Sequence, residues 1–154
     1  YVLAKGLASG YPISAVLFRE ELGSWPPGAH GTTFGGQAVA AAAAHATLDL
    51  LEGGLQENAA RLGEFLLAGL RALKRRFPFL GDVRGRGLMI GLDFGDPDHP
   101  QPDLRDKAVR LAFEKGLLLL PAGPSALRIA PPLVLTQEEA ALGLEILEEV
   151  FRAL

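Results

Sequence analysis

The chain has 154 residues, of which 49% are hydrophobic and 21% are charged, and its formal net charge is −3. This composition is typical of a globular protein with a sizeable core, and the lack of a basic patch excludes a nucleic-acid surface. No apolar run is long enough to span a bilayer and no secretory signal is recognisable, so we expect a cytoplasmic protein without a membrane partner. The absence of cysteine excludes disulfides and thiolate metal sites.

The first predicted strand ends at a lysine. Residues 1–4 form an apolar run typical of a buried strand, and Lys5 follows directly, ahead of a turn rich in glycine and serine. A lysine at the end of a core strand is partly desolvated, and such a lysine can form a Schiff base with an aldehyde cofactor or a carbonyl substrate. An ordinary loop lysine is the alternative, and the local pattern alone favours it.

A loop rich in glycine and threonine comes next. Residues 13–18 predict a second buried strand, followed by a helical turn at 19–22. Residues 30–36 then lead into an alanine-rich helix over 37–51, which we expect to be buried. Backbone N–H groups at a helix N-terminus and two threonine hydroxyls suit an anion such as phosphate. A plain N-cap formed by Thr33 or a neighbour explains the same pattern equally well.

The second part of the chain predicts an α+β unit. Its expected elements are an amphipathic helix over 55–77, a strand over 88–94, a helix capped by Asp103 and closed by Gly116, strands over 117–120 and 127–130, and a last helix with a capping box of Thr136 and Glu139. Two strands and one helix do not close a core. We therefore divide the chain into residues 1–54, the end of a larger domain, and residues 55–154, an interdomain helix and a small domain.

One charged side chain interrupts the apolar strand over 127–130. Arg128 directs a bidentate donor at an anion, and a substrate carboxylate fits this geometry. A structural ion pair with one of the chain's own acids fits as well and is the commoner case. The three histidines have no carboxylate at ligand spacing, so no metal site is predicted. Lys5, the threonine loop and Arg128 are the parts that a pyridoxal-phosphate enzyme acting on amino acids needs.

Four blocks of the chain resemble the class III aminotransferases, which are fold-type-I enzymes dependent on pyridoxal 5′-phosphate. The blocks are residues 4–16, 30–36, 81–88 and 127–133, in the order that the family has them. The resemblance implies an α/β fold in which the chain forms the C-terminal end of the large domain and the α+β C-terminal small domain. Asp93 stands where the family commonly has glutamate, a departure that we expect to be tolerated.

The resemblance also implies roles for individual residues. Lys5 is expected to be the Schiff-base lysine and to carry a proton between the substrate Cα and the cofactor's C4′ atom. Thr33, with the backbone of Thr32, is expected to hold the cofactor phosphate in the other subunit's site, which implies a homodimer. Arg128 is expected to bind a substrate carboxylate.

The implied reaction moves an amino group from an amino acid or ω-amine, of the 4-aminobutyrate or ornithine kind, to a 2-oxo acid, with 2-oxoglutarate the usual acceptor. Amino-acid racemisation on the same scaffold is one alternative, and an inactive C-terminal fragment is another. The family's pyridine-nitrogen aspartate, stacking aromatic residue and first phosphate loop lie upstream of the lysine. We therefore expect the chain to be the last third of a subunit, inactive by itself.

Overall fold

The computed structural model describes residues 1–23 and 25–154 and divides into two compact units, Tyr1–Gly54 and Leu55–Leu154. The first unit contains strands β1 (Val2–Leu3) and β2 (Ala15–Val16) and helix α1 (Ala38–Leu50). The second contains α2 (Gln56–Arg76), β3 (Leu80–Arg86), β4 (Met89–Phe94), α3 (Pro102–Glu114), β5 (Leu120–Ala122), β6 (Ala126–Ile129) and α4 (Gln137–Arg152). None of the helices described in residues 1–23 and 25–154 is long and apolar enough to cross a membrane.

The two strands of the first unit form an antiparallel ribbon in which Val2 lies opposite Val16. Both strands were expected to be buried, and this expectation is wrong: Val2 is 77% exposed and Val16 is 56% exposed. The physical reason is that a ribbon of two short strands leaves both of its faces open unless a further layer covers it. The helical turn expected at 19–22 is confirmed as a short 3₁₀ helix, Glu20–Leu22.

Helix α1 confirms the predicted alanine-rich helix but differs in its cap and its burial. Gln37, rather than a threonine, caps it, because the Gln37 side-chain oxygen accepts from the Ala40 N–H at 2.7 Å. Its buried residues are Ala40 and Ala44, so the expectation of a buried helix holds for one narrow stripe. The chain leaves the helical conformation at Gly54, between the predicted helices over 37–51 and 55–77, because its φ of 122° is incompatible with a continuing α-helix.

The second unit contains a four-stranded antiparallel sheet in the order β3-β4-β6-β5. Strand β3 was not predicted, because its glycines and charges resemble a turn. The glycines serve a close approach between strands: a Cβ at Gly85 would lie 2.7 Å from the carbonyl oxygen of Met89 on β4. Gly87, with a φ of 54°, then makes the tight connection from β3 to β4.

All three helices of this unit contribute buried side chains to one core with the sheet. The amphipathic pattern predicted for α2 is confirmed, since its buried leucines share a cluster with side chains of β4, β6, α3 and α4: Leu62, Leu66, Leu70, Leu73, Ile90, Leu92, Phe94, Ala108, Leu127, Leu147, Val150 and Phe151. Side chains alternate along a strand, so the residues between them point to the other face. We call that face the open face; it carries Arg84, Met89, Gly91, Asp93, Leu120 and Arg128.

The helix ends follow local chemistry. The capping box of Thr136 and Glu139 is confirmed, with both reciprocal hydrogen bonds present. Gly116 has the predicted left-handed φ, 85°. The expectation that Asp103 caps α3 is wrong, because Pro102 is already its first residue; a proline there loses no hydrogen bond, since the first N–H groups of a helix have no partner inside it.

Candidate functional site

Lys5 begins a short 3₁₀ helix, Lys5–Ala8, which is separated from β1 by Ala4 alone. Its φ is 53°, in the left-handed region that a residue with a Cβ rarely occupies. Ser9, which ends the turn, has a φ of 48°. Over residues 1–23 and 25–154, these two are the residues other than glycine with positive φ. Such conformations persist only where the surroundings impose them, and they concentrate at functional sites.

Helix α1 holds this lysine turn in place. The turn packs against α1, and the residues buried there are small, Ala8 on the turn and Ala40 and Ala44 on the helix, so the two backbones can approach closely. The hydroxyls of Ser9 and Thr47 form a hydrogen bond of 3.1 Å, and the Thr47 hydroxyl lies 2.9 Å from the Ala43 carbonyl oxygen. The backbone of the turn is therefore anchored to a regular element.

The Lys5 side chain itself is exposed. The sequence predicts partial desolvation at the end of a buried strand, and this is wrong for the chain as described because β1 and β2 have no covering layer. What the fold provides is a strained backbone, packed against α1, that leaves the Lys5 side chain exposed.

The threonine loop lies ahead of α1. Thr32 and Thr33 are both exposed, and within residues 1–23 and 25–154 neither hydroxyl makes a hydrogen bond. A cavity of about 740 Å³ in the first unit is lined in part by Thr32, Phe34 and Gly36 on this loop and by Ser14 just before β2. Neither Lys5 nor Thr33 lines that cavity, and no hydrogen bond joins Lys5 to either threonine in the described part of the chain.

Arg128 belongs to the second unit, on the open face of the sheet. It lies opposite Gly91 on β4 and opposite Leu120 on β5. Its side chain is exposed, and it makes no ion pair or side-chain hydrogen bond with any residue of 1–23 or 25–154. The structural ion pair that the sequence favoured for this arginine is therefore absent from the described residues, and its guanidinium is available to a ligand.

Sequence reasoning missed a second arginine on the open face. Both terminal nitrogens of Arg84 bond to the two oxygens of Asp93, and Arg84 Nη1 also lies 3.2 Å from an oxygen of Asp82. Two hydrogen bonds raise the pKa of the Arg84 guanidinium above its usual range. The bond to Asp93 contributes most, and the bond to Asp82 contributes second. Identification of β3 as a strand was the missing signal, because only the strand register places Arg84 beside Asp93.

These residues offer a primary amine, two free hydroxyls and one free guanidinium. An amine suits an aldehyde carbon, hydroxyls suit a phosphate, and a guanidinium suits a carboxylate. In the part of the chain that the structure describes, no group of three or more histidine, aspartate or glutamate side chains could hold a metal ion. The donor set therefore fits a phosphorylated aldehyde cofactor and a carboxylate substrate.

The sequence of the chain matches those of known proteins. Residues 1–151 match the family described as aminotransferase class III. The acetylornithine aminotransferase of Gloeobacter violaceus is 44% identical over 156 residues, which cover 100% of this chain and 38% of that protein. The alanine/serine racemase of Pyrococcus horikoshii is 41% identical over 155 residues, which cover 98% of this chain and 33% of that protein. The chain thus spans 33–38% of the length of these relatives.

Solved structures share the fold. The ornithine aminotransferase of Toxoplasma gondii ME49 has a TM-score of 0.87 and 35% identity, over 99% of this chain and 36% of that chain. An amine transaminase from an uncultivated Pseudomonas species, in its PLP-bound form, has a TM-score of 0.86 and 38% identity, over 99% of this chain and 38% of that chain. The predicted α/β fold class is confirmed. The chain belongs to the class III aminotransferases, a family that depends on pyridoxal phosphate.

Proposed function

We propose that the protein containing this chain is an aminotransferase that moves an amino group from an ornithine-like or 4-aminobutyrate-like amine to a 2-oxo acid, with 2-oxoglutarate as the acceptor. The observation that carries this proposal is the lysine turn, in which Lys5 is held at a φ of 53° against α1 with an exposed amine. The names of the relatives from Gloeobacter and Toxoplasma support an ornithine-like donor.

Pyridoxal phosphate, when bound, supplies an aldehyde carbon for the Lys5 amine and a ring that accepts electron density from the substrate Cα. In the loaded enzyme the Lys5 amine would take the proton from the substrate Cα and would deliver it to the cofactor's C4′ atom. A rigid turn suits this work, because proton transfer requires the amine within hydrogen-bond distance of both carbons. The strain at Lys5 is thus part of its positioning.

Thr33 and the backbone N–H of Thr32 are proposed to donate to the cofactor phosphate of a second subunit, so the protein acts as a homodimer. The unbonded hydroxyls of these threonines in the described residues support a role in a neighbouring site. Residues 1–54 are then the end of the cofactor-binding domain, and residues 55–154 the interdomain helix and small domain. We place the protein in the cytoplasm.

Arg128 is proposed to orient the substrate carboxylate. Its planar guanidinium can donate two parallel hydrogen bonds to a carboxylate. Positioning of this kind selects for substrates that carry a carboxylate.

The test is Lys5→Ala in the full-length subunit, with Lys74→Ala on the exposed face of α2 as the control. We expect Lys5→Ala to lose the visible absorption band of the bound cofactor and at least about 10²-fold in turnover, because acid–base catalysis alone contributes that much. Lys74→Ala should retain both. A Lys5→Ala enzyme with the band and full turnover would refute the proposal.

Racemisation is a second candidate, favoured by the 41% identity to the alanine/serine racemase of Pyrococcus horikoshii. A racemase returns the proton to Cα itself, on the opposite face. Chiral chromatography of L-alanine, L-serine and L-ornithine, each incubated without any 2-oxo acid, separates the two functions. D-isomers formed without an acceptor indicate a racemase, whereas turnover that requires 2-oxoglutarate indicates an aminotransferase.

A further inference from the structure

We propose that Arg84 is a positioning residue for Arg128: by binding Asp93, it prevents this carboxylate from pairing with Arg128 and so keeps the Arg128 guanidinium free for the substrate. This inference rests on the proposed role of Arg128. Its basis is the arrangement of these three side chains on the open face of the sheet.

The strand register gives both arginines the same relationship to Asp93. Arg84 on β3 and Arg128 on β6 each lie opposite Gly91, from its two sides. Asp93 lies two residues farther along β4 and points to the same face, so it is the diagonal neighbour of both arginines. Diagonal neighbours of this kind are within reach of a long side chain. Asp93 is also the single acidic residue in β4, β5 and β6.

The structure shows which arginine binds Asp93. Both of its carboxylate oxygens are bonded by Arg84, one of them at 3.1 Å from Nη2. The Arg84 guanidinium lies over Gly91, 3.7 Å from where a Cβ would be, in space that a side chain would otherwise fill. Asp82 makes a further contact to Arg84, which fixes the guanidinium between two acids. Arg128 has no such partner in the described residues.

Without Arg84, Asp93 would need another cation. Its side chain is only 28% exposed, so an unpaired charge there is unfavourable. Asp93 and Ala126 both line a cavity of about 320 Å³. Ala126 lies opposite Asp93 on β6, and its small side chain leaves room for a longer one to reach Asp93. Arg128 is the neighbouring cation on that strand, and an Arg128–Asp93 pair would compete with the substrate carboxylate.

Arg86 provides a matched control. It is a second arginine on the same face of β3, but it lies opposite Met89, four residues along β4 from Asp93. At about 3.4 Å per residue, this places the two about 14 Å apart along the strand, out of reach of an ion pair. Its removal changes the charge of the open face without freeing Asp93.

The experiment compares full-length Arg84→Ala, Arg84→Gln, Arg86→Ala, Arg128→Ala and the double variant Arg84→Ala/Asp93→Asn. We expect both Arg84 variants to raise the KM for the carboxylate-bearing amino donor about twofold to fivefold, the range that an exposed ion pair contributes, at unchanged kcat. The double variant should have the wild-type KM again, and the KM of Arg86→Ala should equal that of the wild type. Titration calorimetry with glutarate, an unreactive dicarboxylate, should give dissociation constants that rank the variants in the same order as their KM values. A crystal structure of Arg84→Ala should show the Arg128 guanidinium within 4.0 Å of the Asp93 carboxylate.

The outcomes separate the two proposals. An unchanged KM in both Arg84 variants, or a raised KM that Asp93→Asn fails to restore, overturns the positioning role and leaves Arg128 as the carboxylate ligand. An unchanged KM in Arg128→Ala overturns the carboxylate role itself. A merely structural role of Arg84 would lower stability in both the single and the double variant, and restoration of KM by the second substitution would not occur.

Discussion

Two glycines in helix interiors offer a sharp test of how α2 packs on the sheet. Gly63 on α2 is buried, and a Cβ there would lie 2.7 Å from the Cα of Gly87 and still closer to that residue's carbonyl oxygen. Gly143 on α4 is the matched control, because a Cβ at that position meets no atom within 4 Å. Replacing either glycine by alanine gains the same helix propensity. The difference between the two variants in the free energy of unfolding therefore measures the packing at Gly63.

The propensity gain of glycine to alanine inside a helix is about 1 kcal/mol. At Gly143 this gain is unopposed, and Gly143→Ala should raise the free energy of unfolding by about that amount. At Gly63 the obstacle is backbone, which cannot rotate away, and overpacking of this kind costs about 1–3 kcal/mol. The net effect of Gly63→Ala therefore lies between neutral and a loss of about 2 kcal/mol.

Thermal unfolding of the 154-residue chain, followed by circular dichroism at the helical band, measures both variants. For a unit of the size of Leu55–Leu154, which contains both glycines, 1 kcal/mol corresponds to about 4–8 °C in Tm. Gly143→Ala should have a higher melting temperature than the wild type. Gly63→Ala should melt at least about 4 °C below Gly143→Ala. Equal melting temperatures for the two variants would refute the close contact between α2 and the β3–β4 turn.

Two further predictions concern α4. Thr136→Ala should lower the free energy of unfolding by about 1 kcal/mol in urea titrations, because it removes one half of a capping box. Thr136→Ser keeps the hydroxyl and should not lower it, and equal losses in the two variants would contradict this. Glu148, whose pKa is lowered from 4.5 chiefly by its hydrogen bond to Arg76, contributes stability above pH 4.5 that is lost as the pH falls through the lowered pKa. Glu148→Gln should therefore destabilise at pH 7 and lose this effect progressively as the pH falls below 4.5, with Glu145→Gln as the control for the loss of one negative charge on α4; a pH-independent difference would refute this.

The helices are where sequence and structure agree most closely, because their signals are local. The leucine period of α2, the box at Thr136 and the left-handed Gly116 each depend on residues within a few positions of one another. The break at Gly54 is local too, since glycine there takes a φ of 122°. Family membership also follows from the sequence, because four ordered blocks do not require coordinates to be compared.

Strand β3 and the state of Lys5 required the tertiary structure. A strand's partner lies far away in the chain, so a segment rich in glycine and charge, such as Leu80–Arg86, is indistinguishable from a turn until β4 pairs with it. The burial of residues 1–4 likewise depends on a layer that two short strands do not supply.

The amine at Lys5, the threonine hydroxyls and the arginine at position 128 are candidates that the sequence itself determined, because chemistry resides in residue type. Their surroundings were decided by the fold alone. The strained φ of Lys5 depends on packing against α1, and the freedom of Arg128 depends on Asp93 being bound by Arg84 across the sheet. Backbone strain and competition for a carboxylate arise from contacts between distant residues, which no local pattern records.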